Sequence, residues 1–108
     1  MKKMKYKVIR TDKADELIHG IVLYVAQQFG NDVALEKLDE LEMAILSLGD
    51  NPYLGVQPRY SILRRQGYFV LITKKDLVFY KVNEHEKTVT IYAVVDQRQD
   101  YLNIIRGL

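Results

Sequence analysis

Residues 68–95 read YFVLITKKDLVFYKVNEHEKTVTIYAVV, and large apolar side chains alternate with polar ones along this stretch. A period of two is typical of β-strands with one buried face, and the polar breaks TKKD and NEHEK indicate tight connections. The alternation predicts strands near 60–64, 68–73, 77–83 and 88–95. Because such short connections join neighbouring strands that run in opposite directions, the C-terminal half should form an antiparallel sheet.

The N-terminal half predicts one strand followed by two helices. Residues 4–10, MKYKVIR, alternate like a strand. An N-cap at Thr11 or Asp12 and a stop at Gly30 bound the first helix, whose apolar residues recur every three or four positions. A second apolar stripe ends at Gly49. Since the link between the helices is two or three residues, they should form an antiparallel hairpin that packs on the sheet, and the 108 residues are interpreted as one α+β domain.

Composition excludes several classes of protein. The chain has no cysteine, which removes thiol catalysis, disulfides and zinc-thiolate sites. No apolar run reaches the roughly 18 residues of a membrane span, and the N-terminus does not have the apolar core of a signal peptide. We therefore expect a cytoplasmic protein with no membrane partner.

Charge is spread unevenly along the chain. Residues 1–10 carry five bases and no acid, residues 11–50 carry two bases and nine acids, and residues 51–108 carry nine bases and five acids. Basic flanks around an acidic middle are expected where one face of a protein meets an anionic partner. Solvated surface charge gives the same pattern, so composition leaves both interpretations open.

Bases and tyrosines are the groups available for chemistry. Residues 59–81 carry six bases and one acid, which suits an RNA surface because cations pair with phosphates and tyrosine rings stack on bases. The alternative, which we favour for Tyr80 and Tyr92, is that the rings pack across the sheet. Such a surface can cleave RNA without a metal when a 2′-hydroxyl attacks the adjacent phosphate. Neither His19 nor His85 has a second ligand at metal-binding spacing, so no metal and no cofactor is expected.

Four segments together resemble the RelE/ParE superfamily of toxins from bacterial type II toxin–antitoxin systems. They are YKVIRTDKADELI, YVAQQFG, LEKLDELEMAILSLGDNPYLG and RRQGYFVLITKKDLVFYKVNEHEKTVTIYAVVDQRQDY. The resemblance covers nearly the whole chain. It implies a β-α-α-β-β-β fold, a toxin that arrests growth, and an antitoxin that wraps and silences it.

Members of the superfamily differ in their targets. RelE-like toxins cleave mRNA in the ribosomal A site, whereas ParE-like toxins inhibit DNA gyrase. Carried over by position, the resemblance implies that Arg98 stabilises the scissile phosphate and that Tyr101 is the accompanying catalytic tyrosine. The bases expected to bind RNA are Arg59, Arg64, Arg65, Lys74 and Lys75. Three positions at which RelE-like nucleases have arginine are occupied here by Phe69, Leu77 and Ala93.

The resemblance therefore predicts a ribosome-dependent mRNA endonuclease whose partners are its antitoxin, the ribosome and mRNA. Two alternatives stay open: a ParE-like gyrase inhibitor without nuclease activity, and a binding module whose basic face serves only the antitoxin. For Arg98, the structural alternative is a surface ion pair with Asp96 or Asp100. The antitoxin should contribute an acidic, amphipathic segment that binds residues 59–81 or the groove beside the helical hairpin.

Overall fold

The computed structural model describes residues 5–108. Its elements, in chain order, are β1 Lys7–Arg10, α1 Asp12–Phe29, α2 Asn31–Ser47, α3 Ser61–Arg65, β2 Phe69–Ile72, β3 Asp76–Asn83, β4 Thr88–Asp96 and α4 Leu102–Arg106. The order of the strand, the two long helices and the C-terminal strands confirms the predicted α+β fold. Met4, which begins the strand predicted over 4–10, lies outside the described residues.

The four strands form one sheet in the order β1-β4-β3-β2. The pairs β2–β3 and β3–β4 are antiparallel, as the short connections predict. The first strand differs, because β1 pairs with β4 in parallel, with Lys7 opposite Thr88 and Arg10 opposite Ile91. The whole helical hairpin lies between these two strands in the sequence, which gives the chain the length that a parallel crossover needs.

The strand predicted near 60–64 is wrong, because these residues form the short helix α3. The carbonyl of Tyr60 accepts hydrogen bonds from the amides of Leu63 and Arg64 at 3.1 and 3.2 Å, which closes a helical turn. Leu63 is fully buried and anchors the turn to the sheet. Five residues with a single buried anchor carry too little periodicity to separate a strand from one helical turn.

Local capping residues set the bounds of α1 as predicted. The Thr11 side chain accepts a hydrogen bond from the amide of Ala14 at 3.0 Å, so Thr11 is the N-cap of α1. Gly30 ends α1 with a φ of +94°, a conformation that side chains disfavour, and α2 begins at the next residue. The buried faces of α1 and α2 join Val78, Tyr80 and other residues on one face of the sheet in a common core.

The opposite face of the sheet carries a second, smaller core. Leu63 of α3 and Ile105 of α4 pack there against Phe79 and neighbouring strand residues. A β-bulge interrupts the register here, because Phe79 pairs with Ala93 but Tyr80 pairs with Ile91, which leaves Tyr92 as one extra residue on β4. The sheet thus separates two chemically different surfaces, one under the long helices and one under the short ones.

One carboxylate ties the β3–β4 turn to the rest of the chain. Glu84 accepts hydrogen bonds from the hydroxyl of Tyr6 at 2.5 Å and from the hydroxyl of Tyr53, and it lies 3.3 Å from the ammonium of Lys87. The hydrogen bond to the carboxylate raises the pKa of Tyr53 to about 12. The same hydrogen bonds, first from Tyr53 and then from Tyr6, lower the pKa of Glu84.

Candidate functional site

A cleft of about 810 Å³ lies between the helical hairpin and the adjoining ends of β3 and β4. Its apolar lining is supplied mainly by α1 and by the start of α2, and includes Leu17, Ile21, Tyr24, Val25, Phe29 and Val33. Basic groups on the sheet side are Lys74, Lys75 and Arg98, and acidic groups on the helix side are Glu16, Glu36 and Glu40. An apolar floor between walls of opposite charge suits an amphipathic protein segment more than a small uniform ion.

A buried ion pair fixes the width of the cleft. Lys37 of α2 places its ammonium 2.6 Å from a carboxylate oxygen of Asp76, and the side chains are only 12% and 2% exposed. Asp76 also closes the β2–β3 turn, because its amide donates to the Thr73 hydroxyl at 3.0 Å and its carbonyl accepts from the Thr73 amide at 2.9 Å. The turn that presents Lys74 and Lys75 is therefore held against α2.

Sequence reasoning missed this pair, although a signal was present. Lys37 is the only base in α2, and Asp76 is the only acid between residues 59 and 81. A single charge of opposite sign in a strongly charged segment is a candidate for a specific long-range pair. The pairing itself cannot be predicted from the sequence, because the two residues are 39 positions apart.

Arg98 lies at the edge of the cleft but its guanidinium is occupied by Asp96. Nε lies 3.0 Å from Oδ1 and Nη2 lies 3.2 Å from Oδ2, while the Arg98 amide donates to Oδ1 at 2.8 Å. The hydrogen bond from Arg98 is the largest effect that lowers the pKa of Asp96. Asp96 stands opposite Asp76 in the sheet register, so Arg98 and Lys37 neutralise two carboxylates that would otherwise repel each other.

Tyr101 belongs to the other face of the sheet. Its ring centroid lies 5.2 Å from that of Phe79 and 5.7 Å from that of Tyr60. Burial first, and the neighbouring Tyr60 second, raise the pKa of the Tyr101 hydroxyl. The two residues that the resemblance assigns to catalysis thus belong to different environments, with Arg98 in the cleft and Tyr101 in the aromatic cluster.

The bases predicted to bind RNA are divided in the same way. Lys74 and Lys75 line the cleft, whereas Arg59, Arg64 and Arg65 belong to α3 and the segment before it. Arg64 serves the local fold, because its Nη1 donates to the carbonyls of Pro58 and Arg59 at 2.8 and 2.9 Å. The structure therefore does not gather these five residues around one position.

The tyrosines considered for base stacking are mostly engaged in packing. Tyr80 is fully buried, in agreement with the packing role favoured for it, and Tyr68 is 5% exposed. The ammonium of Lys81 lies 4.5 Å from the ring centroid of Tyr68 and 5.1 Å from that of Tyr92, a cation–π arrangement. The ammonium of Lys81 thus lies over both rings, which also pack edge to face against each other with their centroids 5.5 Å apart.

Residues 5–108 contain neither a cluster of metal-binding side chains nor a membrane-spanning helix. Within this part of the chain no three histidine, aspartate or glutamate side chains are close enough together to hold a metal ion. Nor does any helix in the same residues have both the length and the apolar character needed to cross a bilayer.

A leading strand, a helical hairpin and three antiparallel strands form the fold of the RelE/ParE superfamily of toxins. The model of the ParE toxins of type II toxin–antitoxin systems, parDE, matches residues 8–101, and the chain belongs to this family. It is thus the toxin component of a type II system. No curated protein sequence matches the chain significantly.

Two solved toxin–antitoxin structures are similar to this fold. A chain of the chromosomal ParDE system of P. aeruginosa superposes with a TM-score of 0.71 at 14% identity, covering 87% of this chain and 98% of that one. A chain of the RelBE2 toxin–antitoxin complex of Mycobacterium tuberculosis gives a TM-score of 0.64 at 18% identity, covering 86% and 99%. At these identities the similarity concerns the fold.

Proposed function

We propose that this toxin arrests growth by binding DNA gyrase, as the ParE branch of the superfamily does, and that it does not depend on RNA cleavage. The observation that carries the proposal is the pairing of Arg98 with Asp96. A guanidinium that stabilises a phosphate in the transition state must be free to approach it, and the Nε–Nη2 edge of this one is already paired with a carboxylate.

The other groups of a nuclease site support the same conclusion. A general acid is most effective when its pKa lies near the working pH, and burial moves the pKa of Tyr101 further above neutrality. Phe69, Leu77 and Ala93 replace three arginines of RelE-like nucleases. Leu77 and Ala93 are buried, so they leave no room for a cation at those positions.

We propose that the antitoxin occupies the cleft beneath the helical hairpin with an amphipathic helix. Acidic residues of that helix would face Lys74 and Lys75, which the structure holds in place through the Lys37–Asp76 pair.

Gly20 supports a helix as the occupant of this cleft. It lies in the middle of the 18-residue helix α1, lines the cleft, and has no atom within 4 Å of the position a Cβ would take. Glycine costs a helix interior about 1 kcal/mol relative to alanine. A notch at this position lets the backbone of a second helix approach α1 closely, which is the packing that small residues permit.

The experiment compares the order of events after induction of the toxin in a bacterial host. A gyrase inhibitor should relax plasmid supercoils and induce the DNA damage response while transcripts stay intact. Purified toxin should likewise inhibit supercoiling by purified gyrase. Transcripts cut within reading frames, together with an early stop in translation, would instead establish the mRNA endonuclease.

Arg98→Ala separates the two activities, with Arg106→Ala as the matched control. Both arginines are exposed, and Arg106 lies in the last turn of α4. For the gyrase inhibitor we expect both variants to be as toxic as the parent. A nuclease should lose roughly a hundredfold or more of its cleavage rate in Arg98→Ala alone, as when one charge-stabilising donor is removed from an active site.

A further inference from the structure

The outward face of α2 exposes three large apolar side chains. Leu35, Met43 and Leu46 are 59%, 72% and 52% exposed, whereas Leu41 and Ile45 on the inward side are 0% and 2% exposed. Spacings of eight and three residues place the exposed three on one helical face. At about 1.5 Å of rise per residue they extend over roughly 16 Å, long enough to contact a protein partner along three turns.

Acidic residues surround these side chains on the same face. Asp32 and Asp39 are exposed, and Glu42 is 3.6 Å from the guanidinium of Arg10. The only base of α2 is Lys37. It lies on the side of the helix that faces the cleft, where it forms an ion pair with Asp76. The outer face of α2 therefore combines apolar contact area with the negative charges of Asp32 and Asp39, which form no ion pair among residues 5–108.

Charge decides what can cover this surface. Nucleic acids and anionic membranes are repelled by it, and a second copy of the chain that packs its own α2 against it would place acids against acids. An acidic antitoxin segment is likewise repelled, and it finds its counter-charges at Lys74 and Lys75 in the cleft. What remains is a protein surface that presents basic side chains around an apolar patch.

We propose that the outer face of α2 is the surface through which the toxin binds its target, a basic and partly apolar protein surface. The inference rests on the proposed function only in that the target is a protein. Methionine and leucine at the centre of an interface, with charges at its rim, follow the usual division between apolar contacts that hold a complex and charges that guide it. The cleft and the outer face of α2 then bind different partners with opposite charge preferences.

The test uses a triple variant, Leu35→Gln, Met43→Gln and Leu46→Gln, in the full chain. The matched control places glutamine at three exposed apolar residues elsewhere, Leu23, Leu54 and Ile62, which are 49%, 53% and 39% exposed. Growth arrest after induction, thermal unfolding, antitoxin binding and binding to purified gyrase are measured for each. We expect the triple variant to lose roughly tenfold or more in target affinity and to lose growth arrest, with unchanged antitoxin binding.

A charge-reversal variant, Asp32→Lys with Asp39→Lys, removes no apolar contact and carries the test if the triple variant does not fold. It should weaken growth arrest and slow association with the target, whereas stronger arrest would mean an anionic target and overturn the proposal. Full toxicity of a folded triple variant would also overturn it, and so would loss of antitoxin binding alone. If the triple variant loses growth arrest but the parent does not inhibit gyrase, the outer face of α2 is supported as the target-binding surface and gyrase is excluded as the target.

Discussion

Gly55→Ala tests how closely the loop after α2 approaches the sheet. A Cβ at this position would lie 2.5 Å from the carbonyl oxygen of Val70 and 2.7 Å from the hydroxyl of Tyr80. The first contact is with backbone, which cannot rotate away. To regain an ordinary separation the loop must move by about 1 Å, because carbon and oxygen atoms in non-bonded contact lie about 3.4 Å apart.

That movement breaks specific hydrogen bonds. The amides and carbonyls of Val56 and Val70 are paired in both directions at 2.9 Å, and the Gly55 amide donates to Tyr80 Oη at 3.0 Å. At about 1 kcal/mol net for each hydrogen bond, the loss is roughly 2–3 kcal/mol. For a domain of this size a loss of 1 kcal/mol lowers the melting temperature by about 4–8 °C, so we expect a fall of about 10–20 °C in calorimetry.

Gly20→Ala is the control for this substitution and should have the opposite sign. No atom lies within 4 Å of the added methyl group, and alanine favours a helix interior over glycine by about 1 kcal/mol. Gly55 does not have a positive φ, so its replacement by alanine carries no backbone strain that would confuse the comparison. A Gly55→Ala protein that melts with the parent would refute the close approach.

Two further predictions concern charged groups. Lys37→Met should lower the free energy of unfolding by about 3–5 kcal/mol, because it leaves the carboxylate of Asp76 buried without a counter-charge. Urea unfolding measures this loss. In the double variant Lys37→Met/Asp76→Leu the free energy of unfolding should recover. Glu84→Gln tests the depressed pKa of Glu84, which lies lower in the folded than in the unfolded chain. The stability that ionised Glu84 contributes is therefore full at neutral pH and lost as the pH falls through the folded pKa, so the parent should exceed Glu84→Gln in urea midpoint at about pH 7, and this difference should shrink as the pH is lowered through the folded pKa. A difference that stays constant as the pH is lowered would contradict the second prediction.

The parts of the fold that sequence predicts are those specified locally. Thr11 and Gly30 mark the ends of α1 because capping depends on residues within one turn, and the hairpins of β2, β3 and β4 follow from short connections between alternating strands. The parallel partner of β1 depends on packing between distant segments, and no residue near Lys7 encodes it. The strand predicted at 60–64 is wrong because a segment of five residues is too short to show a hydrophobic period.

In the candidate site, too, contacts between residues close in sequence could be predicted, whereas contacts between distant residues could not. Asp96 lies two residues from Arg98, so their pairing could be predicted from the sequence as the structural alternative, and the structure forms this pair. Lys37 and Asp76 are far apart in the chain, and only the folded structure shows that they hold one wall of the cleft against the other. A cleft made by two segments that meet after folding has no linear signature, and its lining residues look like ordinary surface positions until the helices are packed.

The two proposed surfaces lie on one helix, and this has a consequence for how the antitoxin silences the toxin. Glu36 and Glu40 of α2 face the cleft, while Leu35, Met43 and Leu46 face outward. A helix with its side chains is only about 10–12 Å across, so a partner seated in the cleft reaches the edge of the outer face. We therefore propose that an antitoxin bound in the cleft excludes the target from the outer face of α2 by steric overlap, which would require no distortion of the toxin.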